Sequence, residues 1–312
     1  MIKIIKKIIV GLVPFQIRRK LFHPLVVHND YSCEIALTES VLLMKHNKEN
    51  LDDEFWASNL RKAAHILDKG LQRFDCEPGH SVSFYQKARN CLDNIKGDDM
   101  INDPSILWAI EKLSEYDQLQ KSGNIIQNEQ PFKTTICNYD HLIDLIKTRR
   151  SIRSFTDQLI SPEVIKKITD VVNWAPSSCN RQTTKIFIAD SKELIKVCTE
   201  ANNGATCFTG EISCYMSFCA DLRPYDLPTE MMLPVLDVSL GMQNCCLAAH
   251  SLGVGVAILN WTHHSPEQDS LLRKALSIPP YYRIVANAVL GYPEKGAPLP
   301  ARKGDSFTSV FR

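Results

Sequence analysis

The sequence predicts an α+β domain that follows an all-helical region, and two patterns carry this prediction. In the first half, apolar residues recur at three- and four-residue spacing over 60–71 and again over 106–116, which is typical of amphipathic helices. The second half alternates helical patterns with short apolar runs, which predict strands at 185–189, 215–220, 254–259 and 284–290. We therefore expect a different architecture in each half of the chain.

The boundary between the two halves is predicted near Asn138. Residues 121–138 contain glycine, asparagine and proline and show little periodicity, as a linker does. This gives three predicted parts: a basic amphipathic segment over 1–20, a helical extension over 21–138, and the α+β domain over 139–312.

Terminal signals place the helices of the second half. A helix around Leu142–Ile146 ends at a run of arginines, and Ser161-Pro162-Glu163 supplies an N-cap, a first-turn proline and an acidic first turn for the next helix. A long helix over 233–252 is closed by Gly253. Its many small residues predict that it is buried, either in the core of a monomer or between subunits.

Composition excludes several classes of partner. The 312 residues hold 36 Lys and Arg against 35 Asp and Glu, so a net charge of +1 gives no global field that would attract nucleic acid. The 11 cysteines include no CxxC pair and no metal-ligand spacing, which favours a reducing, cytoplasmic compartment and predicts no bound metal.

The first twenty residues form a short basic segment rich in isoleucine and lysine. They contain no uninterrupted apolar run of membrane-spanning length and no cleavage site, so neither a spanning helix nor a cleaved signal peptide is expected. Two readings stay open: peripheral attachment to the inner, anionic face of a membrane, or a packing helix or frayed terminus.

A basic run at Arg149, Arg150, Ser151 and Arg153 is the first candidate site. Three guanidiniums and a hydroxyl within five residues suit a phosphate, because each guanidinium offers a planar fork of donors. The alternative is a charge cluster that complements the end of the preceding helix. A polar turn at 175–182 then offers hydroxyl and amide groups for a flat heteroaromatic ring.

The chain from about Leu142 to Arg312 resembles the nitroreductase-like family of FMN-dependent oxidoreductases. Four motifs in the order of the family carry the resemblance: RRSIRSF at 149–155, APSSCNRQ at 175–182, LGMQNCCLAAHSLGVG at 240–255 and ANAVLGYP at 286–293. The resemblance implies a nitroreductase-like fold, with a central mixed sheet flanked by helices and the long helix at the interface of a homodimer.

The resemblance also implies a set of FMN contacts. The phosphate and ribityl chain would be held by Arg149, Arg150, Ser151 and Arg153. The turn would reach the flavin from the other subunit, through Pro176, Ser177, Ser178 and Asn180, with Gln182 just behind. The backbone near Leu259 and Asn260 would lie by flavin N5, where many relatives have glycine in place of Asn260. Arg302, or Lys303 next to it, would return to the phosphate.

One polar residue of the family pattern has no match in 200–212. Asn202 and Asn203 lie nearest, and either fits a turn. No catalytic side-chain acid or base is expected, since the chemistry would belong to the flavin. No GxGxxG follows a strand, which argues against a separate nicotinamide-binding domain.

By this resemblance, NAD(P)H would reduce FMN and an electron-poor acceptor of nitroaromatic, quinone or enone type would then be reduced. Two alternatives stay open. One is a specialised tailoring dehydrogenase, dehalogenase or flavin-consuming enzyme on the same fold. The other is a non-catalytic, membrane-associated scaffold with a degenerate flavin site.

Overall fold

A computed structural model describes residues 32–73, 76–123, 133, 135–205, 208–226, 228–262, 264–304 and 308–312. The chain divides into two compact units, residues 1–50 and residues 51–312. The first unit contains helix α1 (Ser32–His46). The predicted amphipathic segment over 1–20 lies outside the described residues.

The helical part of the second unit has its own hydrophobic core. Its helices are α2 (Asp53–Leu71), α3 (Val82–Asn94), α4 (Asp98–Ile101) and α5 (Pro104–Ser122). Carboxylate caps begin the two long helices, because Asp52 accepts from the amide of Phe55 and Asp103 from that of Ser105. Leu60 and Leu67 of α2 are buried with Leu113 of α5. The helices predicted around 60–71 and 106–116 are confirmed.

The remainder of the chain is a sheet covered by helices, which confirms the α+β class. The helices are α6 (Tyr139–Thr148), α7 (Pro162–Thr169), α8 (Lys192–Ala201), α9 (Leu233–Ser251) and α10 (Pro266–Leu276). The strands are β1 (Thr184–Ala189), β2 (Cys214–Asp221), β3 (Gly255–Asn260) and β4 (Tyr282–Gly291). All four predicted strands and the long helix are present within one to two residues of their predicted ends.

The strands form one antiparallel sheet in the order β1-β2-β4-β3. In the described part of the chain, the parallel pairing that the resemblance implies is limited to the isolated bridges Ser151–Val256 and Ser154–Thr209. The first of these bridges attaches the basic run to β3, at the edge of the sheet.

Helices cover both faces of the sheet. Because successive strand residues point to opposite faces, Ala288 of β4 packs in a cluster with Ala249 of α9, whereas Val289 packs with residues of α8 and α10. Helix α9 also lies very close to the segment before the polar turn. A Cβ on Gly241 would lie 2.7 Å from Val172 Cγ2 and 2.9 Å from the carbonyl oxygen of Val172, so this approach needs a glycine.

Helix α9 is apolar on more than its buried side. Among the described residues, the helical stretch 230–251 is the one long and apolar enough to cross a membrane. The core helix of a domain passes the same test, and α9 has that role here because Val238 and Ala249 are fully buried. Its outer side nevertheless leaves Leu236 54% and Leu240 40% exposed. An apolar stripe therefore remains uncovered within one chain.

Candidate functional site

A cavity of about 400 Å³ lies beside the basic run. Its walls are the run, the C-terminal end of α9, the start of β3 and the segment 293–299. The run lies directly on β3, because the amide of Ile152 donates to the carbonyl of Val256 at 3.1 Å. Gly255 permits this contact, since a Cβ there would lie 2.8 Å from Ile152 Cβ.

Arg149 and Arg150 line this cavity, and both are half-buried. The Arg150 guanidinium is oriented by the backbone, because Nη1 donates to the carbonyls of Lys147 at 2.5 Å and Arg149 at 2.6 Å. Ser151 and Arg153 lie outside the cavity wall, and the Arg153 side chain is exposed. Two of the four predicted phosphate residues are therefore brought together at the cavity.

His250 lines the same cavity and was missed by the sequence reasoning. It lies in the last turn of α9, with Nε2 2.9 Å from Thr148 Oγ1. Cys246, one turn earlier, also lines the cavity, and burial raises the pKa of its thiol against the opposing charge of Arg149. Cys246 and His250 are four residues apart in the LGMQNCCLAAHSLGVG motif, and this spacing indicates that they lie on the same face of a helix.

The polar turn lies near the other end of α9. Asp237 accepts two hydrogen bonds from Ser178, from its amide at 2.9 Å and from its hydroxyl at 2.8 Å. The amide of Gln182 donates to Ser177 Oγ at 3.2 Å, and Gln182 Nε2 donates to Asn180 Oδ1 at 3.0 Å. These bonds link Gln182 to Ser177 and Asn180 within the turn, and they link Ser178 to α9.

The turn has an unfavourable backbone conformation. Cys179, Asn180 and Gln182 all have φ of 52–53°, in the left-handed region that residues with a Cβ rarely adopt. Such conformations persist where surrounding contacts over-determine them, and they concentrate at functional sites. The bonds to Asp237 and within the turn are contacts of this kind.

Arg181 stabilises the turn through a buried side chain. No role for Arg181 was predicted from the sequence. Its side chain is fully buried, with Nη1 donating to the Ser178 carbonyl at 3.1 Å and Nη2 to Glu230 Oε1 at 2.6 Å. Its guanidinium carbon lies 4.7 Å from the ring centroid of Tyr225, whose pKa is raised, chiefly by burial. Sequence alone gave no signal for this role, because its partners Tyr225 and Glu230 are more than forty residues away.

The end of β3 is held by a buried polar network. Asn202 is 2% exposed, and its Nδ2 donates to the Asn260 carbonyl at 3.1 Å. Asn202 Oδ1 accepts from Tyr215 at 3.1 Å and from Asn287 at 2.7 Å. Asn202 thus holds the end of β3 next to buried Leu259. The sequence around Asn202 indicates only a turn.

The side chains of Asn260 and Arg302 are both exposed, and each makes local hydrogen bonds. The Asn260 side chain is exposed, and its Oδ1 accepts from the amide and hydroxyl of Thr262, both at 2.9 Å. Arg302 is exposed and donates to the neighbouring Ala301 carbonyl at 3.2 Å. The cavity wall extends no further along the chain than Leu299, so the structure does not bring Arg302 to Arg149 and Arg150.

Some of the predicted site residues thus form two groups in one chain. Arg149 and Arg150 line the cavity with His250, and the turn is bonded to Asp237 through Ser178. Asp237 and His250 are thirteen positions apart along α9, which corresponds to about 20 Å at 1.5 Å per residue.

Comparison with known proteins identifies the family. The nitroreductase family model matches residues 146–206 and 211–292. A protein of Archaeoglobus fulgidus described as an NADH dehydrogenase/NAD(P)H nitroreductase is 32% identical over 155 residues, which are 50% of this chain and 87% of the relative. The chain belongs to the nitroreductase family, as predicted. Both matched ranges begin after helices α1–α5.

Two further proteins resemble the same half of the chain. An FMN reductase [NAD(P)H] of Bacillus subtilis is 25% identical over 169 residues, covering 49% of this chain and 66% of that protein. A crystal structure of a nitroreductase in complex with FMN from Desulfovibrio desulfuricans has a TM-score of 0.48 and 22% identity, covering 55% of this chain and 96% of that one.

Proposed function

We propose that this protein is an FMN-dependent oxidoreductase that takes electrons from NAD(P)H and acts as a homodimer. The observation that carries the proposal is the cavity at the basic run, where the arginines of a nitroreductase-family motif meet the end of α9. Relatives named NAD(P)H nitroreductase and FMN reductase make FMN and NAD(P)H the expected cofactor and donor.

The donors at this cavity suit a phosphomonoester. Arg149 and Arg150 offer planar forks of charged donors, and His250 adds a ring nitrogen on the adjacent wall. The volume of about 400 Å³ falls in the range of small-molecule sites. Ser151, Arg153 and Arg302 remain proposed contacts that would need a shift of the run or of the C-terminal segment.

The homodimer is supported by uncovered apolar surface. Leu236 and Leu240 form a stripe on α9, and Leu142 and Ile146 are 46% and 42% exposed on α6. Large apolar surface of this kind marks an interface more often than free surface. A two-fold dimer that pairs α9 with its copy in opposite directions would place the turn of one chain beside the cavity of the other.

This arrangement would bring together two groups of residues that lie far apart within one chain. About 20 Å of helix separates them within one chain, whereas an antiparallel pair of helices brings opposite ends together. Each of the two sites would then take Arg149 and Arg150 from one protomer, and Pro176, Ser177, Ser178 and Asn180 from its partner.

FMN, when bound, supplies the hydride acceptance and release. The residues of the chain bind and orient it: the arginines hold the phosphate, the rigid turn borders the ring, and the Asn202 network fixes the backbone at Asn260. An N–H directed at a developing negative charge stabilises it without reorganisation, which is the role proposed for the backbone at Leu259 and Asn260. The acceptor would be an electron-poor nitroaromatic, quinone or enone.

The cellular setting is proposed to be the cytoplasm. Within the described part of the chain, buried cysteines such as Cys91, Cys198 and Cys214 are free thiols, which suits a reducing compartment. Burial raises the pKa of several of them, to about 12 for Cys198 and Cys214, so these thiols stay protonated and act as packing groups.

The proposal is tested on the purified protein by its visible spectrum. A yellow protein that releases FMN in near-equimolar amount to the chain is expected, and NADH or NADPH should bleach the flavin band. A colourless protein that takes up no added FMN would overturn the proposal.

A further inference from the structure

The helical part that precedes the family match is bonded to the family domain through α2. Glu54 accepts from Lys185 at 2.5 Å and from Tyr282 at 2.8 Å, and Asp52 pairs with the buried Arg223 at 3.0 Å. These contacts fix α2 against the sheet. One further residue of α2 reaches the polar turn itself.

That residue is Arg61, which is only 9% exposed. Its Nε donates to the carbonyl of Arg181 at 3.1 Å, its Nη1 to Ser105 Oγ at 3.2 Å, and its Nη2 to Ser58 Oγ at 2.9 Å. Burial lowers the pKa of Arg61 to about 10, against the charges of Asp103, Glu54 and Asp221. A buried guanidinium is costly unless its donors are satisfied, so its three partners determine where it lies.

The carbonyl that accepts from Arg61 belongs to a peptide whose N–H also makes a hydrogen bond within the turn. This peptide joins Arg181 to Gln182, and the amide of Gln182 donates to Ser177 Oγ at 3.2 Å. Fixing the oxygen of a planar peptide also fixes the direction of its N–H. Gln182 has the unfavourable φ of 53°, as does Asn180 on the other side of Arg181, whereas Arg181 itself has an ordinary φ of −66°. Arg61 therefore restrains a peptide that lies between two residues of unfavourable φ, Asn180 and Gln182.

We infer that Arg61 is a positioning residue for the flavin site, through which the helical extension fixes the shape of the turn that reaches the flavin of the partner. The inference rests on the proposed function. It gives α2–α5 a role in cofactor binding, although they lie outside the ranges matched by the family model.

The experiment compares Arg61→Gln with Arg89→Gln in the full-length chain. Arg89 is the control for loss of a hydrogen-bonded arginine of the same helical part, because it is exposed, its Nε donates to the hydroxyl of Tyr85 and its Nη2 pairs with Asp117, both within that part. Dissociation constants of FMN and riboflavin are measured by fluorescence titration of the apoprotein, and circular dichroism and thermal unfolding report on the fold.

Because the turn borders the ring and not the phosphate, Arg61→Gln should weaken FMN and riboflavin by the same factor, on the order of tenfold, with native circular dichroism. Arg89→Gln should change neither by more than about twofold. Unaltered flavin affinity in Arg61→Gln, or a loss confined to FMN, would overturn the inference.

Arg61→Lys keeps the charge but lacks the Nε donor, so it decides the question if Arg61→Gln does not fold. An equal loss for both flavins is again expected, smaller than in the Gln variant, and no loss contradicts the inference. Failure of the wild type to bind FMN would instead contradict the proposed function, so the two failures are distinguishable.

Discussion

The two ends of α9 differ in how their polar groups are satisfied. At the C-terminal end, Arg149 and Arg150 are half-buried beside an open cavity, and the Arg150 donors contact only nearby carbonyls. At the N-terminal end, Ser178 donates to Asp237 and accepts from Arg181, and the side chains of Asp237 and Arg181 are buried. The first arrangement leaves charged donors available to a ligand, whereas the second uses its donors to hold a strained backbone.

The two ends of α9 therefore use their polar groups in two physically different ways. In the proposed site, the cavity end would supply charge, which acts strongly on a phosphate and tolerates some side-chain freedom. The turn end would supply shape, which a ring needs and which demands preorganised backbone. Substitutions at the two ends should therefore have different effects on ligands with and without a phosphate.

The largest effect on FMN binding is expected when the two protomers of the proposed dimer dissociate. Leu240→Asp places a charge in the exposed stripe of α9, where it should convert the dimer to a monomer and abolish FMN binding, because each half-site then lacks the other. Size-exclusion chromatography with light scattering, together with flavin content, measures this. Leu271→Asp on α10 is the matched control, since Leu271 is 41% exposed and Leu240 is 40% exposed. A flavin-loaded dimer of Leu240→Asp would place the interface elsewhere.

The next effect concerns the cavity end alone. Arg150→Ala removes charge-assisted hydrogen bonds to the phosphate, which are worth about 1.5–3 kcal/mol, so FMN should bind roughly 10- to 100-fold more weakly. Riboflavin has no phosphate and should be almost unaffected. Calorimetric titration of both ligands measures the ratio, with Lys147→Ala, an exposed neighbour, as the control for net charge. Equal losses for the two ligands would show that Arg150 has another role.

The smallest effect is expected at the turn end. Asp237→Asn keeps the volume but presents at most one acceptor to the two donors of Ser178. We expect a cost of about 1–3 kcal/mol in the free energy of unfolding, and a similar weakening of FMN and riboflavin. Denaturant unfolding and the same titrations measure both. A loss restricted to FMN would contradict the assignment of this end to the ring.

Mixed dimers sharpen this last comparison. A dimer of one Arg150→Ala chain and one Asp237→Asn chain contains one intact site if each site combines two protomers, and none if each site lies within one. Differently tagged chains isolate the mixed dimer. Binding of half an equivalent of FMN per chain with wild-type affinity is expected, and absence of any tight site would contradict the shared site.

Much of the fold could be predicted from the sequence because local patterns carry it. The apolar runs over 185–189 and 284–290 alternate with terminal signals such as Ser161-Pro162, which set element boundaries without reference to distant residues. Part of the candidate site was predictable for the same reason, since Arg149, Arg150 and the turn over 175–182 are contiguous motifs. His250 could have been added by helical spacing from Cys246.

The remaining residues could not be predicted, because their roles depend on contacts between distant segments. Arg61 and Arg181 lie 120 positions apart and meet only after α2 packs onto the turn. The sequence around Asn202 is typical of a turn, whereas in the structure Asn202 is hydrogen-bonded to Tyr215, Asn287 and Asn260. No local pattern distinguishes a buried brace from a solvated polar side chain.

The α+β class, the strand and helix positions, the family motifs and the basic run could be predicted from the sequence, since each depends on residues that are neighbours along the chain. The tertiary structure alone decided that Arg149 and Arg150 share a cavity with His250, that the turn is bonded to Asp237 about 20 Å away along α9, and that the helical extension holds the turn through Arg61. These outcomes depend on how the elements pack, because burial and side-chain contact bring together groups that the order of the chain keeps apart.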